Sequence, residues 1–219
     1  DRKIDKHIVR TKGRPLVTGE ISANSALILF GLLLLVALVL VLQTNTLTIK
    51  LSLLALALAT LYPFTKRWTN LPQLVLGAAF GMSVPMAFSA QTGVLPFNSG
   101  LVFMATLVWT LIYDTFYAMA DRDEDLKIGV KSSAILFSKY DQIIISLLQV
   151  LLIIIFVLIG NAFNLGLIYD FSLIIIIFFM IYHQFLMNKR QKEQYFKAFI
   201  NNNFIGMTAF LGIFLSVIT

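Results

Sequence analysis

Residues 113–132 read YDTFYAMADRDEDLKIGVKS and follow the apolar run LVFMATLVWTLI (residues 101–112), so Asp121, Asp123, Glu124 and Asp125 fall where an oily helix reaches water. Side chains four apart share one face of a helix, so Asp121 and Asp125 aim two like charges at one point. Such a pair costs about 0.2 to 0.5 kcal/mol unless a cation answers it. The pattern D-R-x-x-D formed by residues 121–125 also stands at residues 1–5 (DRKID), and basic residues follow both copies. Whether the two copies can meet depends on the rest of the chain.

That rest is built for lipid. Hydrophobic residues make up 58% of the 219, charged residues 13%, and the mean hydropathy is +0.86; a soluble domain is about 45 to 50% apolar even with glycine counted. The chain is read as an integral membrane protein. With no cysteine and only His7 and His183 as imidazoles, disulfides, zinc-thiolate sites and cysteine nucleophiles are excluded, and any metal is expected on oxygen ligands. A net charge of +6 could suit nucleic acid, but in so apolar a chain it reads as a topology signal, and no nucleic-acid partner is expected.

Residues 1–22 are basic, polar and broken by Gly13, Pro15 and Gly19, which fits a loop at a membrane surface. Seven apolar segments follow, at 24–43, 47–64, 73–91, 100–120, 142–160, 165–187 and 203–218. Each is close to the roughly 17 to 25 residues that a spanning helix needs, and helices are expected because lipid offers no partner to an unpaired backbone group. Lys and Arg number six in residues 1–22, two in 65–72, four in 121–141 and four in 188–202, with Lys50 the exception. By the positive-inside rule these alternate gaps are cytoplasmic. Four crossings separate the two D-R-x-x-D copies, so both are expected at the same mouth.

Within the fourth segment Asp114 lies seven residues before Asp121, two turns deeper on nearly the same face, and an ionisable group inside a span is a functional candidate. In the third segment Gly77-x-x-x-Gly81 followed by Pro85 predicts a close-packing face with a kink. Asn201, Asn202 and Asn203 are read as a cap and turn before the last helix, His183 as a helix-end residue and His7 as a loop residue.

Carboxylates and cations at one mouth suit a diphosphate. Mg2+ prefers oxygen and is usually held by a few carboxylates plus the substrate's own phosphates, while Arg and Lys neutralise the remaining charge. A calcium loop is rejected, because the glycine it needs at its sixth position is Leu126 and the glutamate at its twelfth is Ser132. No Gly-rich phosphate loop or nucleophile elbow occurs. A diphosphate at the mouth of an apolar bundle suggests a lipid tail lying in the bundle and transfer of that tail to an electron-rich acceptor in a dry pocket. A transporter is disfavoured because only Asp114 lies deep. A catalytically dead membrane scaffold is the third reading.

At these residues the chain resembles the UbiA superfamily of membrane prenyltransferases, in its 4-hydroxybenzoate branch. Asp1 and Asp5 look like the last two acids of the family's N-D-x-x-D-x-x-x-D motif, and Asp121 and Asp125 like its D-x-x-x-D. Residues 9–16 (VRTKGRPL), 61–88 (LYPFTKRWTNLPQLVLGAAFGMSVPMAF), 113–137 and 196–206 (FKAFINNNFIG) extend the likeness over the whole chain. The resemblance implies an all-α transmembrane bundle of nine helices, of which this chain supplies seven as one domain. It implies Mg2+-dependent transfer of a polyprenyl group from its diphosphate to the ring carbon ortho to the hydroxyl of 4-hydroxybenzoate, in ubiquinone synthesis at the bacterial inner membrane. Another acceptor within the superfamily is the alternative. By position, Asp1, Asp5, Asp121 and Asp125 would hold Mg2+, and Asp114 and Tyr62 would line the cavity. Arg10, Arg14 and Lys66 match cations near the diphosphate or the aromatic acid, with Arg67, Lys127 and Lys131 beside them.

The first residue is Asp, so the first helix and most of the second are expected to be missing from residues 1–219. This stretch alone is therefore expected to show no prenyl transfer. An assay with added Mg2+ checks that, and turnover by residues 1–219 contradicts it.

Overall fold

In this computed structural model, which describes residues 5–6 and 11–219, the chain is a bundle of helices without strands among the described residues. The principal helices are α1 (Ala23–Leu42), α2 (Thr46–Thr65), α3 (Pro72–Gly81), α4 (Ser83–Thr92), α5 (Ser99–Ile128), α6 (Asp141–Ala162), α7 (Leu167–Asn188) and α8 (Lys192–Ile218). With α3 and α4 taken together, and α6 joined to the short turns from Ser133, seven stretches among the described residues are long and apolar enough to cross a bilayer. They correspond to the seven predicted segments.

Helix α1 begins at Ser22, whose hydroxyl accepts from the Ser25 amide (3.0 Å), and it is Leu- and Val-rich on every face. None of its residues is buried, as befits a helix whose solvent is hydrocarbon rather than water. Helix α2 is capped by Asn45, and the Asn45 and Thr48 side chains also reach Ser89 on α4, tying the far end of that hairpin. The deepest packing surrounds α5, which contacts α3, α6 and α8. Ala105, Val108, Ile112, Phe116 and Met119 recur along it at helical spacing, against Ile145 and Leu152 of α6 and Ala198 and Ile205 of α8.

Small residues set how close these helices come. A Cβ at Gly77 would lie 3.0 Å from the Leu107 carbonyl oxygen and 3.2 Å from Thr110, so α3 rests on the α5 backbone itself. The predicted kink is a break: α3 stops at Gly81, and α4 restarts at Ser83, two residues before Pro85, which has no N–H to donate back to Gly81.

One expectation is overturned. Asn201, Asn202 and Asn203 lie inside α8, which runs unbroken from Lys192, so the last segment is longer than the apolar run at 203–218. The Asn202 amide donates to the Ala198 carbonyl (2.8 Å), and Asn201 Oδ1 pairs with His183 Nε2 (2.8 Å). Partners inside the bundle thus remove the reason a polar triplet would break a helix. His183 stands near the end of α7, as expected, and is fully buried there, with the Phe116 ring packed edge-on against it at 5.3 Å.

Gly77→Leu should separate α3 from α5 and destabilise the protein by about 1 to 3 kcal/mol. Gly100→Ala, where an added Cβ meets open space, should not. Thermal unfolding of the two variants in the same detergent measures the difference.

Candidate functional site

The acidic run at the end of α5 is divided among three faces of one helix. Arg122 donates to Asp141 at the start of α6 (2.5 Å), and Asp141 is almost wholly buried there. On another face Lys192 of α8 reaches Glu124 at 2.8 Å and Asp123 at 3.5 Å. These pairs fix the rotation of α5, and a helix so held turns Asp114, Ala118, Asp121 and Asp125, spaced by four, three and four, onto the remaining face. That face looks into a cavity of 280 Å³.

The opposite wall comes from the basic loop and from α2. Asp5 is 8% exposed, and Arg14 Nη1 donates to its Oδ2 at 3.0 Å; the Thr11 hydroxyl donates to the Asp5 backbone oxygen at 3.1 Å. Pro15 opens a short helical turn, and Arg14 sits at its N-cap, which brings the guanidinium back over Asp5. Tyr62 and Lys66, one turn apart at the end of α2, face the same cavity. Lys66 acts electrostatically on both Asp114 and Asp125, and Asp121 acts on the same two. Four carboxylates and two cations therefore share one small volume.

The other proposed cations have different places. Arg67 turns outward over the Phe64 ring (5.6 Å), and Lys127 is exposed in the last turn of α5. Lys131 holds two loops together, its amide donating to the Lys66 carbonyl (3.3 Å) and its ammonium to that of Trp68 (3.2 Å). None of the three lines the cavity. Asp1 and Arg10 lie outside the described residues.

Sequence reasoning missed Gln73, Tyr117 and Ser132, which also line the cavity. Tyr117 could have been found, since it lies three residues after Asp114 and four before Asp121. Gln73 is an amide at the head of an otherwise apolar helix, which is itself a signal. Ser132 carried none.

The donor set suits a hard divalent cation that brings other ligands with it. The cavity's acids offer only oxygen, and among the described residues no group of three or more His, Cys, Asp or Glu side chains stands close enough together to hold a metal ion by itself. Such an open set fits Mg2+, which keeps waters and shares phosphate oxygens rather than filling a dedicated cage.

The profile of the UbiA prenyltransferase family matches residues 1–211. The chain belongs to that family. This UbiA family member is 55% identical over 217 residues to the 4-hydroxybenzoate octaprenyltransferase of Vesicomyosocius okutanii, covering 99% of this chain and 80% of the relative. It is 53% identical to the enzyme of the same name from Photobacterium profundum, covering 99% of this chain and 76% of that one. The apo structure of a UbiA homolog from Aeropyrum pernix K1 superposes with a TM-score of 0.81 at 26% identity, over 97% of this chain and 81% of that chain. A digeranylgeranylglyceryl phosphate synthase shares the fold, with a TM-score of 0.71 at 23% identity over 99% and 77% of the two chains.

Proposed function

We propose that this UbiA family member is an aromatic polyprenyltransferase that moves a polyprenyl group from its diphosphate to the carbon ortho to the hydroxyl of 4-hydroxybenzoate, in ubiquinone synthesis. One observation carries the reading: Asp5 from the first D-R-x-x-D copy and Asp121 and Asp125 from the second line one cavity, together with Arg14, Lys66 and Asp114. The names of relatives 46 to 55% identical over nearly the whole chain support the choice of acceptor.

In this reading Asp5, Asp121 and Asp125 would hold Mg2+, with Asp1 assigned the same role from the family motif alone, and the ion would supply positive charge to the departing diphosphate. Arg14 spends one donor on Asp5 and has further N–H groups for phosphate oxygens. Lys66 stands between the deep and shallow acids and balances charge as the leaving group departs. Arg67, Lys127 and Lys131 add a positive field around the mouth that gathers an anionic head group, and Arg10 is assigned to substrate binding from the family resemblance alone. Asp114 and Tyr62 lie deeper, where the aromatic acid would sit. Ring attack leaves a proton on the substituted carbon, and Asp114 is the carboxylate placed to take it.

The polar cavity is too small for a long prenyl tail. At Asp5 and Arg14 it adjoins an apolar groove of 840 Å³ lined by Leu16, Leu29, Phe30 and Leu33, which supports a tail lying along α1 with its head among the acids. The alternation of Lys and Arg along the chain supports a multi-pass protein of the bacterial inner membrane with this mouth on the cytoplasmic side.

Asp121→Asn in the protein expressed from its full gene should lower prenyl transfer to 4-hydroxybenzoate at least about a hundredfold, because it strips a negative ligand from the set that would hold Mg2+. Product formation in isolated membranes with Mg2+ measures this. Undiminished transfer would contradict the assignment, and transfer only to a different aromatic acceptor would redirect it within the family.

A further inference from the structure

Away from the acid cavity, with which it shares no residue, a groove of 370 Å³ runs between α6 and α7. Its deep end is aliphatic, formed by Ile153 and Ile154 of α6 and Ile177 of α7, and its polar residues Ser146, Gln149 and Gln184 stand together at the other end. There Gln184 Nε2 donates to Gln149 Oε1 across the two helices at 2.7 Å. Toward the start of α6 and the end of α7 a second rung follows, Gln142 Nε2 donating to Asn188 Oδ1 at 2.6 Å. Just past that rung in the chain come Lys139, Lys189 and Arg190, all exposed, and among the described residues none of the three pairs with a carboxylate. Asp141 beside them is buried and bonded to Arg122, and exposed Glu193 in the first turn of α8 leaves the cluster net positive.

Cations, then amides, then isoleucines follow one another down this face, in the order of phosphate, glycerol esters and acyl chain in a phospholipid. From Gln142 to Ile154 is about 18 Å of helix, close to the roughly 20 Å of one leaflet with its head-group layer. We propose that the groove binds one anionic phospholipid, with its phosphate at Lys139, Lys189 and Arg190 and an acyl chain along Ile153 and Ile177. Gln142 and Gln184 each spend one amide N–H on a cross-helix bond and keep a second for an ester carbonyl. A second copy of the chain fits this face less well, since a two-fold pairing over it would set the same cations against each other. The lipid joins α6 to α7 at the end where Asp141 holds Arg122 of α5.

The test uses the protein expressed from its full gene, purified in detergent with equal amounts of phosphatidylglycerol and phosphatidylcholine of identical chains. Native mass spectrometry counts the lipids that stay bound. Wild type should retain phosphatidylglycerol at least about fivefold over phosphatidylcholine, the weight of one cation at a membrane surface, and phosphatidylglycerol should raise its Tm. Lys139→Gln, Lys189→Gln and Arg190→Gln together should bring the ratio to about one and abolish the rise in Tm. Val150→Trp, at an exposed position that lines the groove, keeps every charge and should lose the retained lipid; Ile181→Trp replaces it should that variant not fold. A charge variant that keeps the wild-type ratio overturns the proposal. So does full phosphatidylglycerol retention by the groove variant, which would mark loose attraction to a basic surface. A dimer that the groove variant turns into a monomer, with lipid retention unchanged, would give the face to a second copy. Displacement of the lipid by soluble glycerol 3-phosphate would give the cations to a free phosphate compound, and it too contradicts the proposal.

Discussion

Two carboxylates of like charge, Asp121 and Asp125, are held on one face of α5 opposite a third, Asp5, and this concentration of negative charge is the constraint that the surrounding structure serves. Left in an apolar bundle, such a cluster would be expelled toward water or neutralised. Here it is kept in place by cations that approach from other elements. Arg14 pairs directly with Asp5, and Lys66 acts on Asp114 and Asp125. The arrangement balances the acids without filling the space between them, which is what a site for a metal and a diphosphate requires.

The remaining charges of the same run do a different job. Arg122, Asp123 and Glu124 alternate with the cavity acids in sequence but lie on other faces, where they anchor α5 to α6 and α8. A helix bonded to its neighbours on two sides cannot rotate, so the third side is presented to the cavity in one orientation. Gly77 contributes from below, letting α3 touch the α5 backbone and bringing Gln73 and Asp114 to the same wall. Packing of small residues within the bundle and ion pairing at its end therefore converge on one geometry.

Much of this was legible in the residues. Segment lengths pointed to the seven stretches long and apolar enough to cross a bilayer, because a bilayer imposes one length scale on every span. The repeat of D-R-x-x-D pointed to Asp5, Asp121 and Asp125, and helical spacing added Asp114. What escaped depended on partners distant in sequence. Asn201–Asn203 read as a turn until His183, eighteen residues before Asn201, proved to be its partner across α7 and α8. Arg67 and Lys66 are adjacent and chemically similar, yet only Lys66 faces the cavity, since α2 ends at Thr65 and the chain turns there. Gln73 emerged only from the lining of the cavity.

The central claim is that the basic loop and the end of α5, more than a hundred residues apart, bring their acids to one cavity. Residues 1–219 hold no cysteine, so Asp5→Cys with Asp121→Cys places the only two thiols of this stretch at those positions. Treated in membranes with short bifunctional thiol reagents, it is predicted to cross-link within the chain, whereas Asp5→Cys with Lys50→Cys does not. Failure of the Asp5–Asp121 pair to cross-link in the folded protein, under conditions where each thiol alone is reactive, would contradict the account.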